Sequence, residues 1–381
     1  MKKCLVILLS FIMICLSGCS TMNKADEKNF ELAAENESVI KTLNNINFSI
    51  DPRIELLSII IYLSPKYNEN VTSIIPFNSS YKKEVEEWFG DYKNHKAVKL
   101  LDSMLERGFS YDAPPTGMLF LTNTPNLSVR EDIDKKDYMY KQIMKRAGGE
   151  KNFLKFVKAL QDFCKESNFY EFYNNHKEYY GKIVDGAIES SGNVNYINQI
   201  ENYYGVKQNS YNIILSGILY ANNYGPSIKN TDGNFDIYSI QGSAGIINDI
   251  PTFGDEFTFK YLVRHEFSHS FINNITDKNI DKVNEYEELF KPINNKMSKQ
   301  AYSNWEICLN EHLVRAVVIR LTEIHDGRDK SLNLIDMESQ NGFIYIRQLT
   351  NLLKNEYEPN RDKYPTFEDF YPEILNLLKT L

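Results

Sequence analysis

The sequence predicts an α+β protein that is mostly helical, with a small antiparallel or mixed sheet that precedes the helix predicted over about 256–276. Apolar residues recur at helical spacing over most of the 381 residues. Two segments between residues 211 and 240 are instead rich in β-branched and aromatic side chains, and helical periodicity returns from about residue 256. We therefore expect a helical N-terminal region over 47–204 and a second region over 205–381, which contains the sheet and the main motif.

The N-terminus has the features of a secretion signal. Two lysines precede an apolar run from Cys4 to Leu16, and small residues then lead to Cys19. This run is shorter than the roughly 20 residues that a helix needs to cross a bilayer, which disfavours a permanent transmembrane anchor. We therefore predict a signal peptide over residues 1–18 and export from the cytoplasm.

The end of this signal, Leu16-Ser17-Gly18-Cys19, resembles the lipobox of bacterial lipoproteins. The resemblance implies a lipid on Cys19 that holds the protein on the cell membrane or outer membrane, facing outside the cytoplasm. Residues 19–46 are polar and rich in Asn, Lys and Glu, which is typical of a tether between such an anchor and a folded body.

Charge and cysteine content exclude several classes of protein. The formal charge is -8, and it becomes -10 without the two lysines of the signal, so the chain is acidic and lacks a basic tract. Nucleic acid is therefore not expected as a partner. Once the signal and Cys19 are set aside, only Cys164 and Cys308 remain. One disulfide is arithmetically possible, but the chain has no disulfide framework.

The folded body is predicted to begin at a helix opened by Asp51 and Pro52, an N-cap residue followed by proline at the first helical position. Further helical patterns follow at about 80–93, 95–107, 136–147, 150–166 and 168–188. Pro114 and Pro115 break this series, and we expect a short strand over 117–122.

The sheet is predicted from the segments 211–220 and 235–240, which are separated by Asn, Gly and Pro. The remaining chain has helical patterns at about 256–276, 279–292, 298–325, 336–355 and 366–380.

The motif HExxH is present as His265-Glu266-Phe267-Ser268-His269. Residues four apart on a helix lie one turn above each other, so both imidazoles point to a common spot. This geometry suits two corners of a zinc site, with Glu266 as general base toward a bound water. The alternative is a structural helix with two histidines and no metal.

A catalytic zinc usually has three protein ligands, and the helix predicted over 298–325 offers two glutamates as the third. Glu311 projects onto an apolar face, where a carboxylate is costly unless it is paired or binds metal. Glu306 projects onto a more mixed face. We therefore prefer Glu311. No third histidine follows His269 at short spacing, which argues against the metzincin arrangement.

A histidine pair on one helix, with a later Glu in the pair Asn310-Glu311, resembles the gluzincin group of zinc metallopeptidases. The resemblance covers about 60 residues, from 261 to 320. It implies a zincin-like core that holds Zn²⁺ on His265, His269 and Glu311, with Glu266 as the catalytic base acting on a peptide or protein substrate.

One departure from that group concerns position 315. Thermolysin-like enzymes usually have an acidic residue four positions after the ligand Glu, where this chain has Arg315. We expect this arginine to form a salt bridge to Glu311 rather than to bind substrate. If that bridge were the whole role of Glu311, the carboxylate would be structural.

Several other residues have possible roles beside the metal. Tyr302, His312 and Tyr345 are candidates for the donor that stabilises a tetrahedral oxyanion. Cys308 is expected to be a packing residue rather than a ligand. Zincins also bind extended substrates along an edge strand, and either 211–220 or 235–240 could supply it. The alternative is that these segments are ordinary interior strands.

Two other functions stay open at this stage. The chain could be a non-catalytic cell-surface binding lipoprotein whose metal is structural or absent. A zincin fold that cleaves a bond other than a peptide bond is also compatible with the motif.

Overall fold

A computed structural model describes residues 34–71, 74–192, 194–220 and 222–381, and its residues from Ala34 to Leu381 form one compact unit. The predicted signal over 1–18, the lipidation site Cys19 and the tether up to residue 33 lie outside the described residues. No helix in the described part combines the length and apolarity that crossing a membrane requires.

The main sheet has the spatial order β1-β2-β3-β6-β4, and β5 also pairs with β6. Its strands are β1 (Val39–Leu43), β2 (Ile46–Ile50), β3 (Ser210–Tyr220), β4 (Asn223–Tyr224), β5 (Ser227–Lys229) and β6 (Phe235–Ser243). A separate antiparallel hairpin consists of β7 (Gly245–Ile247) and β8 (Ile250–Thr252). The strand β1 lies within the segment predicted as a tether, so the last part of that segment belongs to the sheet.

The sheet is mixed. The strands β2, β3 and β6 are parallel to one another, whereas β1, β4 and β5 each run antiparallel to their neighbour. Its centre is almost continuously buried, in agreement with the apolar run Ile213-Ile214-Leu215 in β3, and the polar residues Ser239 and Gln241 of β6 are buried as well.

Ten helices lie between β2 and β3 in the described sequence. They are α1 (Pro52–Leu63), α2 (Pro65–Val71), α3 (Ser80–Phe89), α4 (Lys96–Leu105), α5 (Ala113–Leu119), α6 (Tyr138–Arg146), α7 (Glu150–Glu166), α8 (Phe169–Asn175), α9 (Lys177–Ser191) and α10 (Tyr196–Tyr204). As predicted, the Asp51 side chain caps α1 by accepting a hydrogen bond from the Arg53 backbone N–H.

Further helices follow the hairpin. They are α11 (Glu256–Lys278), α12 (Ile280–Asn284), α13 (Asn294–Ser298), α14 (Trp305–Asp326), α15 (Arg328–Asn341), α16 (Ile346–Leu352) and α17 (Phe367–Leu378). Short 3₁₀ turns at Gly90–Asn94, Glu287–Phe290 and Glu358–Asn360 and a π turn at Leu353–Tyr357 extend or join these helices.

The α+β class predicted from the sequence is confirmed. The predicted strand over 117–122 is wrong, because α5 occupies Ala113–Leu119. Its two prolines lie in the first turn, where a helix tolerates residues without a backbone N–H. The pattern at 168–188 is divided between α8 and α9.

The helices α11 and α14 pack against each other in an antiparallel pair. Arg264, close to the middle of α11, forms an ion pair with Asp326 at the end of α14 through one terminal guanidinium nitrogen, and the other terminal nitrogen donates to Gln199 of α10 at 2.8 Å. The Arg264 side chain is 1% exposed. A buried charge is tolerated only when it is paired, so this contact also fixes the register of the two helices.

Two aromatic contacts attach α11 to the sheet. Phe259 stacks on Phe48 of β2, and Phe267 meets the edge of Tyr211 of β3, with ring centroids 6.2 Å and 5.3 Å apart. At the edge of the sheet formed by β4, Gly225 follows this strand and lies directly against α11. A Cβ atom there would be 2.2 Å from the backbone oxygen of Glu266. Glycine is thus required for β4 to approach the middle of α11.

We predict that Gly225→Ala lowers the free energy of unfolding by about 1–3 kcal/mol, because the added methyl must displace backbone rather than a flexible side chain. Urea or thermal denaturation would measure this. Gly186→Ala in α9 is the matched control, since no atom lies within 4 Å of its added Cβ. That control should gain up to about 1 kcal/mol from helix propensity. Equal stability of the two variants would contradict the close approach.

Candidate metal centre

The helix α11 presents both motif histidines on one face. Asp255 caps this helix by accepting from the Thr258 N–H, so the helix is continuous through the motif. The Nε2 atoms of His265 and His269 lie 3.2 Å apart. The Nδ1–H of His269 faces the Asn273 side-chain oxygen at 3.3 Å, which leaves its Nε2 lone pair for another partner. His265 is buried and His269 is partly buried.

Glu311 of α14 supplies the third group. Its two carboxylate oxygens lie 3.7 Å from the Nε2 of His265 and 3.4 Å from the Nε2 of His269. In the described part of the chain, these three residues are the group of ligand side chains whose donor atoms all lie within 4.8 Å of one another.

Two of the distances between these groups are close to those of a tetrahedral zinc site. Ligands about 2.0–2.1 Å from such an ion are separated from one another by roughly 3.3 Å. The two Nε2 atoms are 3.2 Å apart and Oε1 of Glu311 lies 3.4 Å from His269, whereas the 3.7 Å distance to His265 is from Oε2. The donor set of two imidazoles and one carboxylate also matches the ligands that zinc prefers in hydrolytic sites, where a fourth position stays open.

The protonation states of these groups suit metal binding. Burial, together with the charges of Arg315 and His269, lowers the pKa of His265 well below its usual range, so the imidazole is neutral. Burial opposes ionisation of Glu311, but Arg315 and the two histidines outweigh it and lower its pKa to about 2. Neutral imidazole and ionised carboxylate are the forms that bind a cation.

A second layer of side chains holds this group. Arg315 lies one turn after Glu311 on α14 and forms an ion pair with its carboxylate, as the sequence predicts. The Nε of the same arginine donates to Glu338 of α15 at 3.1 Å. The other oxygen of Glu338 accepts from the Tyr261 hydroxyl at 2.6 Å, and the Tyr261 ring stacks on His265. Glu338 therefore contacts both Arg315, which pairs with the ligand Glu311, and Tyr261, which stacks on the ligand His265.

Arg315 is also held by aromatic rings. Its guanidinium lies 4.1 Å from the centroid of Phe343 and donates to the Tyr302 hydroxyl at 3.2 Å. Two carboxylates, one hydroxyl and a ring face thus occupy this side chain, whose exposed fraction is only 12%. This environment supports a structural role for Arg315 rather than a direct role in substrate binding.

Glu266 is the buried acid beside the ligands, with an exposed fraction of 5%. Burial and the nearby charge of Glu311 raise its pKa to about 8, against the opposing effect of Arg315. A divalent cation would lower this pKa, because it favours the ionised carboxylate. A carboxyl with a pKa near neutrality has the proton affinity that general acid–base catalysis requires.

Glu306, the alternative third ligand, lies at the other end of the helix pair. Burial, and to a lesser extent the charge of Glu306, raises the pKa of Asp277 near the C-terminus of α11, and burial raises the pKa of Glu306. Asp277 is eight residues beyond His269, or about 12 Å along the helix axis. The structure therefore brings Glu311, and not Glu306, to the two histidines.

The other candidate residues separate into two groups. Tyr302 lies beside the ligands, and the charges of Glu311 and Glu266 contribute to its raised pKa. His312 donates from Nδ1 to the Cys308 backbone oxygen and packs on Phe343, and Tyr345 donates to a backbone oxygen at Leu289. The thiol of Cys308 is buried and outside the ligand group, in agreement with a packing role.

Neither predicted substrate strand lies at an edge of the sheet. The segment 211–220 is β3, between β2 and β6, and 235–240 belongs to β6, between β3 and the strands β4 and β5. That expectation is wrong because β3 and β6 pair with each other and each also has a further neighbour, β2 beside β3 and β4 and β5 beside β6. The strand β4 is the edge beside the site, and its Tyr224 has a pKa raised chiefly by burial and in part by the charge of Glu266.

Sequence analysis did not identify Tyr261, Tyr224 or Glu338 as members of the site. Tyr261 is four residues before His265, so helical spacing could have identified it. Glu338 has no such signal, because its contact depends on how α15 folds back on α14.

A family model described as Domain of unknown function (DUF4932) matches residues 46–377, which cover most of the chain and all residues of the candidate metal centre. No curated protein and no solved structure was found to match the sequence.

Proposed function

The chain belongs to the family described as Domain of unknown function (DUF4932), and we propose that this member is a zinc-dependent peptidase that acts outside the cytoplasm. The observation that carries the proposal is the convergence of His265, His269 and Glu311, whose nearest donor atoms lie 3.2 to 3.7 Å apart. A buried carboxyl with a raised pKa, Glu266, accompanies them. A general base beside an open zinc position is the arrangement that peptide hydrolysis requires.

In the proposed mechanism each residue has a distinct task. Zinc bound at the three ligands would polarise the scissile carbonyl and lower the pKa of a water molecule. Glu266 accepts the proton of the attacking water and passes it to the leaving amine. Arg315 and Glu338 hold the Glu311 carboxylate in place, and Asn273 fixes the tautomer of His269.

We assign the substrate path to the edge strand β4. An extended peptide binds a free strand edge by main-chain hydrogen bonds, and β4 is the edge whose following residue, Gly225, lies against the backbone of Glu266. A peptide along β4 would thus pass the general base. The resemblance of Leu16-Ser17-Gly18-Cys19 to a lipobox supports an activity on a membrane surface outside the cytoplasm.

The second candidate function is a surface-binding lipoprotein without a catalytic metal. The ion pair between Arg315 and Glu311 favours it, because a buried carboxylate already paired with arginine is stable without a cation. Metal analysis tests the alternative without a metal: a metal-free chain would favour the binding lipoprotein, whereas one zinc per chain is expected of the peptidase and of a binding lipoprotein with a structural metal.

For the ligand set, we predict that His269→Ala and Glu311→Gln each weaken zinc binding by more than about 100-fold. Loss of a ligand should exceed the ~10–100-fold effect of losing an outer contact. Competition against a chelating dye would measure this. Glu306→Gln is the matched control, because it makes the same chemical change on the same helix away from the histidines. Equal loss in the two glutamine variants would reject Glu311 as the ligand.

For the general base, we predict that Glu266→Gln retains one zinc per chain but loses about 10²–10⁴-fold in the rate of peptide cleavage. The assay is digestion of a diverse peptide mixture by the purified protein, with and without chelator, read by mass spectrometry. A zinc-loaded variant with full activity would disprove the mechanism, and chelator-resistant cleavage would disprove the metal dependence.

For the second layer, we predict that Glu338→Gln weakens zinc binding roughly tenfold. The charge of Arg315 would then be offset by Glu311 alone, which leaves less negative charge for the cation. The readout is the zinc dissociation constant beside the melting temperature. In an Arg315→Gln background the same change should have little further effect on zinc. An equal loss in both backgrounds would show that Glu338 does not act through Arg315.

A further inference from the structure

One part of this acidic chain is strongly basic. Residues 135–158 contain eight basic and two acidic side chains, a net charge of +6, so the rest of a chain with charge -8 carries -14. These basic residues occur singly or in pairs, separated by other residues, so no long run of basic residues is present in the sequence. They lie on and around α6 and α7.

The basic side chains of this part are exposed and largely without acidic partners. Within the described residues, ion pairs are formed by Arg146 with Asp112 and by Lys158 with Asp162, both at 2.9 Å. Six exposed lysines have no carboxylate within 4 Å in the described structure: Lys135, Lys136, Lys141, Lys145, Lys151 and Lys155. On α7, Lys151, Leu154, Lys155 and Lys158 line one surface depression and share one face of the helix, and we call these four residues the α7 basic surface.

An exposed apolar residue lies among the lysines of α7. Leu154 is 45% exposed, and Lys151 and Lys158 lie one turn before and one turn after it on the same stripe of the helix. A leucine flanked by lysines can insert into the headgroup region of a bilayer while the ammonium groups contact lipid phosphates. A soluble anionic ligand would gain nothing from this side chain.

The described chain begins beside the same stripe. Gln161, one turn beyond Lys158, donates to the backbone oxygen of Asn126 at 2.7 Å, and the Asn126 side chain donates to Glu35 at 3.0 Å. The preceding residue Ala34 is the first one described. Glu35, the second described residue, is thus connected to Gln161 of α7 through Asn126.

We propose that the α7 basic surface docks on an anionic phospholipid bilayer and thereby orients the folded body on the membrane. With the proposed lipid on Cys19, residues 20–33 are the chain between anchor and body, and they reach at most about 50 Å. The anchor therefore holds this surface within reach of the bilayer. A body docked in this way presents one fixed side to the membrane instead of rotating on its tether.

The test uses the chain from residue 19 onward with Cys19→Ser, so that no lipid contributes. Binding to sedimented vesicles of phosphatidylcholine with about one-third phosphatidylglycerol is compared with binding to phosphatidylcholine alone. We expect binding to the anionic vesicles only, and its loss at about 0.5 M NaCl, where charges are screened within a few ångströms. Zinc and substrate are absent, so this result is independent of the proposed peptidase activity.

The decisive variant is Lys151→Gln/Lys155→Gln/Lys158→Gln. Each lysine near an anionic surface strengthens binding about fivefold, so partition into the anionic vesicles should fall on the order of 100-fold. The charge-matched control is Lys207→Gln/Lys291→Gln/Lys299→Gln, three exposed lysines on other elements, which should bind as the parent chain does. Circular dichroism would verify that both variants are folded.

Three outcomes would overturn the proposal. The first is no binding of the parent chain to anionic vesicles, and the second is an equal loss in the triple variant and its control. The third is binding to a single-stranded oligonucleotide at the same salt concentration without binding to vesicles, which would identify the surface as a site for nucleic acid instead.

Discussion

The antiparallel packing of α11 against α14 is the constraint on which the site depends. The histidines and Glu311 come from different helices, so their donor atoms meet only if the two helices keep one register. The buried ion pair of Arg264 with Asp326 sets that register at one end. A slip by one turn, about 5.4 Å, would separate the carboxylate from both imidazoles. Arg264 is adjacent to His265, so the same turn of α11 carries both the structural contact and the first ligand.

The site also depends on an alternation of buried charges. Glu311, Arg315 and Glu338 follow one another as acid, base and acid, and each is paired with its neighbour. A buried charge without a partner costs several kcal/mol, so removing any one of the three takes a charge partner away from its neighbour. The three groups carry one net negative charge, which complements a divalent cation held by neutral imidazoles. The sheet contributes from the other side, where Gly225 brings β4 to the backbone of Glu266.

Local features of this structure could be predicted from the sequence, and long-range ones could not. The Asp51 cap, the strands at 211–220 and 235–240 and the choice of Glu311 over Glu306 all follow from spacing along one element. The parallel pairing of β3 with β6 depends on a crossover that leaves no local pattern. The same holds for Glu338, whose position depends on how α15 packs. Residues 117–122 were misassigned because prolines that open a helix and prolines that interrupt one have the same appearance in a sequence.

The ion pair between Arg315 and Glu311 does not by itself exclude a metal, because a carboxylate has two oxygens. Arg315 binds Oε2, whereas Oε1 faces the Nε2 of His269 at 3.4 Å. An arginine on one oxygen fixes the rotation of the carboxylate and directs the other oxygen toward His269. The arginine therefore acts on Glu311 as Asn273 acts on His269: each fixes the orientation of a ligand from its outer side. A salt bridge whose only purpose was stability would not require two imidazole nitrogens to converge on the same carboxylate.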